Sequence, residues 1–531
     1  MGDLLLEKWK SDIVTGDRKA DKPGLLAFNN IIQAVEMLNK HIRANSRIAL
    51  HCDVDVDGIG SGYVGKSFLT SQGAINTLFL INKDKVHGIQ PNHVKYFNEI
   101  NNTDLLIVLD SSTNEIDLIK QFHCDILVID HHEVLQSDLY GKGAHEYIIV
   151  NNMVENSKGS EVNEWLKNNN PETTETMVDY VADERMSGAM VLYELLRVYC
   201  EAYRTGSVLT NLMLYQWVGI TLLSDSIQLV SDRNQWYMEN TVHSPYVESC
   251  IKVIMTELNQ YKATLDKSFI SYTFAPTINK AIRAGAGGEA LDIIINRPQD
   301  ITNLHVYKEL QAEAIRLCAN SSAIYSDDYI LKDITHTGVT KPYCGVIAAR
   351  LCGENIKNTV AFIMNGEVAH GSFRGRRGGV DYRKFFEDYA EDVFAQGHKG
   401  AFGFKVDVVR LKDMMSKLKS IEPEETRLYL TAGSVPDGVQ GKYHIADMDN
   451  FKRLGYLWRL AVANSKLSGE EQLNIIGSLL DVELVEQRGK LFVYEVMGLR
   501  CKAFEPLNTR LVNIYIEYSK DIEMYIKNYN I

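Results

Sequence analysis

Short apolar runs alternate with amphipathic stretches through the first third of the chain. IIQAVEMLNKHI (residues 31–42) repeats its apolar residues at helical spacing and predicts a helix. RIALHCDV predicts a strand, SGYVGKSFLTSQG a helix closed by Gly73, and AINTLFLI a second strand. TDLLIVLDSS, CDILVIDHHE and EYIIVNN add three more apolar runs. Strands alternating with helices predict parallel β units, and near-continuous apolar runs predict a sheet covered on both faces. Ligands of such sheets bind beyond the carboxyl ends of the strands. Asp55, Asp110 and His131 all stand at those ends.

Further along, the stretch from MSGAMVLYELLRVYC to YQWVGITLLSDSI reads as helical. ITNLHVYKELQAEAIRLCANSSAIYSDD predicts one long helix, suited to joining two domains. From about residue 326 the strand and helix alternation returns, and from about 409 short strands such as KYHIADM, LFVYEVMG and LVNIYIEYS dominate. The predicted fold is α/β. A parallel-sheet domain (1–300) and a smaller α/β domain (326–408) are joined by a long helix (301–325), and a β-rich domain (409–531) follows.

Composition changes this picture little. The 531 residues are 45% hydrophobic with a net charge of −13, which suits a globular protein and disfavours a surface that binds duplex over its whole extent. A local basic cleft is compatible with that charge. The eight cysteines are scattered without CxxC spacing and read as buried thiols of a reducing compartment. The start MGDLLLEKWKSD has neither a signal-peptide pattern nor, with Leu6, a myristoylation pattern, and no apolar run reaches membrane-helix length. A cytoplasmic protein with no membrane partner is expected.

The chemistry begins at HCDVDVDGIGSG, where Asp53, Asp55 and Asp57 alternate between an apolar strand and a Gly-rich turn. Three like charges at short range repel, and a bound cation is the simplest relief. A calcium loop would need Glu at its twelfth position, which is Val64 here. Asp110 after LLIVL, Asp130–His131–His132 after ILVI, and Asp225 in TLLSDSI complete a set able to hold two divalent ions, with Asp110 bridging them. Mixed carboxylate and imidazole donors suit Mn²⁺ well and Mg²⁺ less well. Taken singly, VLD reads as a helix cap and HH as ordinary histidines; their joint occurrence, each after an apolar strand, carries the metal reading.

In order, HCDVDVDGIGS, VLDSS, VIDHHE and SDS resemble the four motifs of the DHH phosphoesterase superfamily. APTINKAIRAG, GVIAARL, GSFRG and QGHKGAFGF resemble segments of its RecJ branch, so the resemblance covers residues 40 to 408. It implies exonucleases that act on single-stranded DNA from the 5′ end with two Mn²⁺ or Mg²⁺ ions. Carried over by position, it implies Asp53, Asp55, Asp57, Asp110, His131 and Asp225 as metal ligands. His132 would contact the scissile phosphate or assist protonation, while His51 and Asp130 would support the ligands. The departures (Ile282, Gly375, Gln396 and Phe402) fall in the substrate-binding half.

The resemblance also implies Arg283 in TINKAIR as a substrate contact, and further contacts are expected from Ser372, Arg374, Arg376 and Arg377 on a Gly-rich loop, and from His398 and Lys399 on a second one. Phe373 and Tyr382 read as base-stacking or core residues. The last segment weakly resembles an oligonucleotide-binding barrel, and a dimerisation or partner-binding domain fits equally well. The expected function is a two-metal 5′-to-3′ exonuclease that releases 5′-mononucleotides. The rivals are a phosphodiesterase of nanoRNA or cyclic dinucleotides, and an inactive nucleic-acid-binding scaffold.

Overall fold

The computed structural model describes residues 22–421, apart from short internal stretches, and beyond them eight strands between Arg427 and Asn528. The chain divides into two compact units, one spanning Ala20–Ala319 and the other built from Asn320 onward.

The first unit is organised on a six-stranded sheet. Helix α1 (Ile31–Arg43) precedes β1 (Ile48–Cys52), α2 (Val56–Ser71) and β2 (Thr77–Ile81). After α3 (Pro91–Glu99) come β3 (Leu105–Leu109), β4 (Asp125–Asp130), the short β5 (Tyr140–Lys142) and β6 (Glu146–Asn151). Their spatial order is β2-β1-β3-β4-β6-β5, parallel throughout except for the β5–β6 pair. Every residue of β1, β3 and β4 is buried, as the continuous apolar runs predict for a sheet covered on both faces. The chain leaves β1 toward β2 on one side and returns to β3 on the other, so the sheet has its switch point between β1 and β3. The register pairs Cys52 with Leu109 and Leu109 with Ile129, which brings the residues that follow, Asp53, Asp110 and Asp130, to one sheet edge.

The residues after the aspartates are helix, not a Gly-rich turn. Asp55 caps α2 by accepting from the Gly58 N–H at 3.0 Å, and Asp57 lies in its first turn. The glycines serve close packing here. A Cβ on Gly58 would meet the Asp53 carbonyl oxygen at 2.5 Å, and one on Gly62 would meet Cys52 Sγ at 2.4 Å.

Helices α4 (Gly188–Ala202) and α5 (Tyr215–Ser224) pack against α2 and one another within a single large core. Helices α6 (Ala275–Arg283) and α7 (Gly287–Ile295) follow, and α8 (Asn303–Ala319) ends the unit. The predicted long helix is shorter than its pattern suggests. Asn320, Ser321 and Ser322 interrupt it, and Ala323–Tyr325 is already strand β7. Ser321 and Ser322 lend their carbonyls to Lys332 Nζ and the Asp333 N–H, so their backbone serves the sheet rather than a helix.

The second unit contains another six-stranded sheet. After β7 come β8 (Tyr329–Asp333), helix α9 (Cys344–Asn355), β9 (Asn358–Asn365) and β10 (Val368–Arg374). Helix α10 (Tyr382–Tyr389), the hairpin β11 (Phe394–His398) and β12 (Ala401–Asp407), and helix α11 (Val408–Lys417) complete it. The order is β11-β12-β10-β9-β8-β7, antiparallel except for β8 with β9. The C-terminal strands form an eight-stranded mixed sheet that runs from Tyr443–Ile445 at one edge to Val482–Arg488 at the other. The α/β class and the β-rich C-terminal part therefore stand as predicted. Among the described residues, no helix is long and apolar enough to cross a membrane.

Candidate metal centre

Two clusters of ligand-type side chains form at the carboxyl ends of β1, β3 and β4. The first joins Asp57, Asp110, His131 and Asp225, and the second joins Asp53, Asp55 and His87; within each, the donor atoms lie within 4.8 Å of one another. His132 shares a further grouping with Asp110 and His131.

Local backbone chemistry aims the first cluster. His131 Nδ1 lies 2.8 Å from the Met186 carbonyl, which fixes that nitrogen as the donor. Nε2 is left as the acceptor, 3.1 Å from Asp110 Oδ1 and 3.4 Å from Asp225 Oδ2. Asp57 accepts from the Gly188 and Ala189 N–H groups at 2.6 and 2.9 Å, at the start of α4. That start is fixed by Ser187, whose hydroxyl accepts from the Met190 N–H. Asp110 has φ +65°, in the left-handed region, and its N–H extends the ladder to the Ile129 carbonyl. Asp225 follows the last turn of α5.

The electrostatics favour a proton or a cation at these carboxylates. Burial, followed by the charge of Asp55, pushes Asp57 up to about 7. Burial and the surrounding aspartates drive Asp110 and Asp225 well above the usual carboxylate range. Both carboxylate oxygens of Asp110 are buried without a hydrogen-bond partner. Buried polar atoms are normally satisfied, so these two oxygens, beside an imidazole nitrogen and two further carboxylates, fit a divalent ion.

Asp130 joins neither cluster. It accepts from the backbone N–H groups of Thr113, His131 and His132 and from His132 Nδ1 at 2.8 Å. Burial would raise its pKa, but the charge and hydrogen bond of His132 hold it far below the usual range. Burial alone would lower His132; the charge and hydrogen bond of Asp130, aided by Asp53 and Asp225, raise it to about 10. That ring is partly exposed, and cations nearby would bring the value back down. His51 stands apart from both clusters: it is wholly buried, and its ring lies 4.7 Å from that of His93. Burial, and then His93, lower it to about 4.

His87 was not foreseen. A single histidine in the stretch KVHGIQ carries no spacing signature. Only the turn at Gly88, with φ +70°, brings its Nδ1 to 2.5 Å from Asp53 Oδ2. Gly188 was also missed, because its role is to have no side chain.

The sequence-predicted binding residues are placed less uniformly. Ser372 and Arg374 lie on strand β10 rather than a Gly-rich loop. They share the face that carries the start of α9, where a Cβ on Gly345 would lie 3.0 Å from Arg374 Nη2 and 3.6 Å from Ser372 Oγ. Arg374 Nη1 donates to the Phe373 carbonyl. Arg376 is drawn inward, with Nη1 3.7 Å from Asp328 Oδ1 and its N–H bonded to Asn358. Arg377 lies outside the described residues. His398 is exposed at the end of β11, and Lys399 follows in the hairpin turn. Arg283, at the end of α6, donates to Gln311 Oε1 at 2.9 Å. Phe373 and Tyr382 are fully buried in the second unit's core with their rings 5.1 Å apart, so neither stacks on a base.

Comparison with known proteins agrees with this geometry. Residues 47–216 match the family model described as the DHH family, N-terminal domain. A Bacillus subtilis (strain 168) protein of SPbeta prophage origin, YorK, named as a single-strand DNA-specific exonuclease, is 23% identical over 513 residues, covering 87% of this chain and 80% of its own. A protein of the same name in Bacillus phage SPbeta matches equally. RecJ from Thermus thermophilus in complex with Mn²⁺ superposes with a TM-score of 0.61 at 15% identity, covering 98% of this chain and 74% of that one. An exonuclease RecJ bound to manganese gives a TM-score of 0.52 at 19% identity, covering 76% and 97%. Residues 47–216 are thus a DHH-family domain, carried in a chain of RecJ-like fold.

Proposed function

We propose that this protein is a two-metal phosphodiesterase that degrades single-stranded DNA from the 5′ end and releases 5′-mononucleotides. The observation that carries the reading is the pair of clusters at the sheet's switch point, in the first of which two carboxylates and an imidazole gather with the two unsatisfied buried oxygens of Asp110. The names of the relatives, and RecJ structures with Mn²⁺ and with Mg²⁺, support the substrate class and the choice of ion.

Asp57, Asp110, His131 and Asp225 would hold one ion and Asp53 and Asp55 the other, with Asp110 bridging. Such ions stabilise charge on a phosphoryl group and supply a nucleophile near neutral pH. The chain's own residues do the rest. Asp130 holds the His132 ring by Nδ1, leaving Nε2 to meet a phosphate oxygen or to protonate the departing 3′ oxygen. Hydrolysis would break the P–O3′ bond, leaving a 5′-phosphate on the shortened strand. Ser372 and Arg374, beside the start of α9, offer a hydroxyl, a guanidinium fork and helix N–H groups to a strand phosphate. Residues 1–300 would form the hydrolytic domain, 326–408 the substrate-holding domain, and 409–531 a further nucleic-acid or partner-binding domain.

The test is an assay of end-labelled single strands with Mn²⁺. Label at the 5′ end of a long single-stranded DNA is expected at once as mononucleotide. Early release from the 3′ end would reverse the polarity, and preference for RNA of two to five residues would replace the substrate class.

A further inference from the structure

We propose that His87 is a ligand of the outer cation, completing a site with Asp53 and Asp55 and setting that site's preference for Mn²⁺ over Mg²⁺. The inference rests on the two-ion reading above and adds a residue that the motif resemblance does not supply.

Geometry is the first argument. His87 Nδ1, an oxygen of Asp53 and an oxygen of Asp55 lie within 4.8 Å of one another, close enough to converge on a single ion. His51, expected to support the ligands, is buried against His93 and joins neither cluster, whereas His87 joins the second. The loop before α3 turns at Gly88, whose N–H donates to Asp53 Oδ1 at 3.1 Å, and the Ile89 N–H donates to Ser112 Oγ. The Gln90 amide donates to the His87 carbonyl at 3.0 Å. The loop is therefore tied to the strand ends on both sides of the imidazole.

A plain His87–Asp53 ion pair is the simpler alternative, and the charge count argues against it. Five carboxylates (Asp53, Asp55, Asp57, Asp110 and Asp225) share this sheet edge. One imidazolium at the rim could offset only one of the two carboxylates, Asp53 and Asp55, with which it is grouped. Asp110, in the first cluster, keeps two buried oxygens without a hydrogen-bond partner, which points to ligation there and so to a site already arranged for cations. A second dication between Asp53 and Asp55, with neutral His87, gives that cluster no net charge.

Ligand chemistry then fixes the selectivity. Of the two ions, Mn²⁺ accepts an imidazole among its oxygen ligands more readily than Mg²⁺, which demands near-ideal octahedral geometry and keeps its waters. His87 is about two-fifths exposed, so replacing it leaves the core untouched.

The experiment titrates the metal-stripped full chain with Mn²⁺, reading free ion by electron paramagnetic resonance, with and without competing Mg²⁺. Circular dichroism monitors the fold. Wild type is expected to bind two Mn²⁺. His87→Ala should keep one site and weaken the other by about tenfold or more, the loss that follows removal of even a supporting partner of a ligand. His87→Asp, which returns an oxygen donor, should restore two ions while Mg²⁺ competes more strongly than in wild type. Two unchanged Mn²⁺ affinities in His87→Ala, or wild-type Mg²⁺ competition in His87→Asp, would overturn the assignment and leave the two-ion reading standing. A wild-type stoichiometry of one would overturn both.

Discussion

A Cβ placed on Gly188 would lie 2.5 Å from Oδ1 of Asp110, closer than real atoms approach. The start of α4 is therefore pressed against the carboxylate at the centre of the first cluster. Gly188→Ala must move either the helix or Asp110. We expect it to lower activity at least as much as loss of a metal ligand, and to reduce the number of Mn²⁺ ions bound, while thermal unfolding stays cooperative. Full Mn²⁺ stoichiometry in this variant would show that the contact relaxes cheaply.

Asp110→Ala should abolish turnover without unfolding the protein. Burial and its acidic neighbours already make this carboxylate costly in the metal-free state, so removing it should leave the metal-free protein as stable or more so. Cleavage of a labelled single strand should fall below about a hundredth of wild type, given the several kcal/mol that such ions supply. A higher residual rate would exclude Asp110 as a bridge.

The metal-free protein should lose stability as pH rises. Asp57 goes up to about 7, above its value in an unfolded chain near 4. A raised carboxylate binds more protons in the folded state, so its destabilising effect appears as pH climbs from about 4 through about 7. Asp110 and Asp225 add to it in the same direction. Melting temperatures measured in chelator from pH 5 to pH 8 should fall, and Mn²⁺ should flatten the decline. A flat profile in chelator would mean that these carboxylates are relieved in some other way.

Arg374→Ala should weaken binding of single strands without changing metal content, because Arg374 belongs to the other compact unit. One lost phosphate contact should reduce the slope of log K against log salt by about 0.7. Binding measured across a salt series with Ca²⁺ in place of Mn²⁺ decides it: an unchanged slope and affinity would remove Arg374 from the substrate path.

The gathering of the candidate ligands was legible because its signal is local. Asp53, Asp110 and His131 each follow an apolar strand, and parallel registry alone brings such positions to one edge. His87 and Gly188 were not legible. One is placed by a loop whose path depends on a positive φ, the other by the absence of a side chain. GSFRG looked like a glycine loop because Gly371 and Gly375 flank it. Yet alternation of buried and half-buried residues through Phe373 is what a strand produces, and the pairing of Ala361 with Ser372 holds it in the sheet. Arg376 shows a further limit, since Asp328, its partner, lies 48 positions away and no local pattern links the two.

The two amide protons of Gly188 and Ala189 both point at Asp57. An ion drawn to that carboxylate would pull electron density from the oxygens they touch. Their chemical shifts and exchange rates should therefore follow occupancy of the inner position, separately from the outer one. Isotope labelling of a single glycine and alanine pair would then give a built-in gauge, able to order the filling of the two positions before any substrate is added.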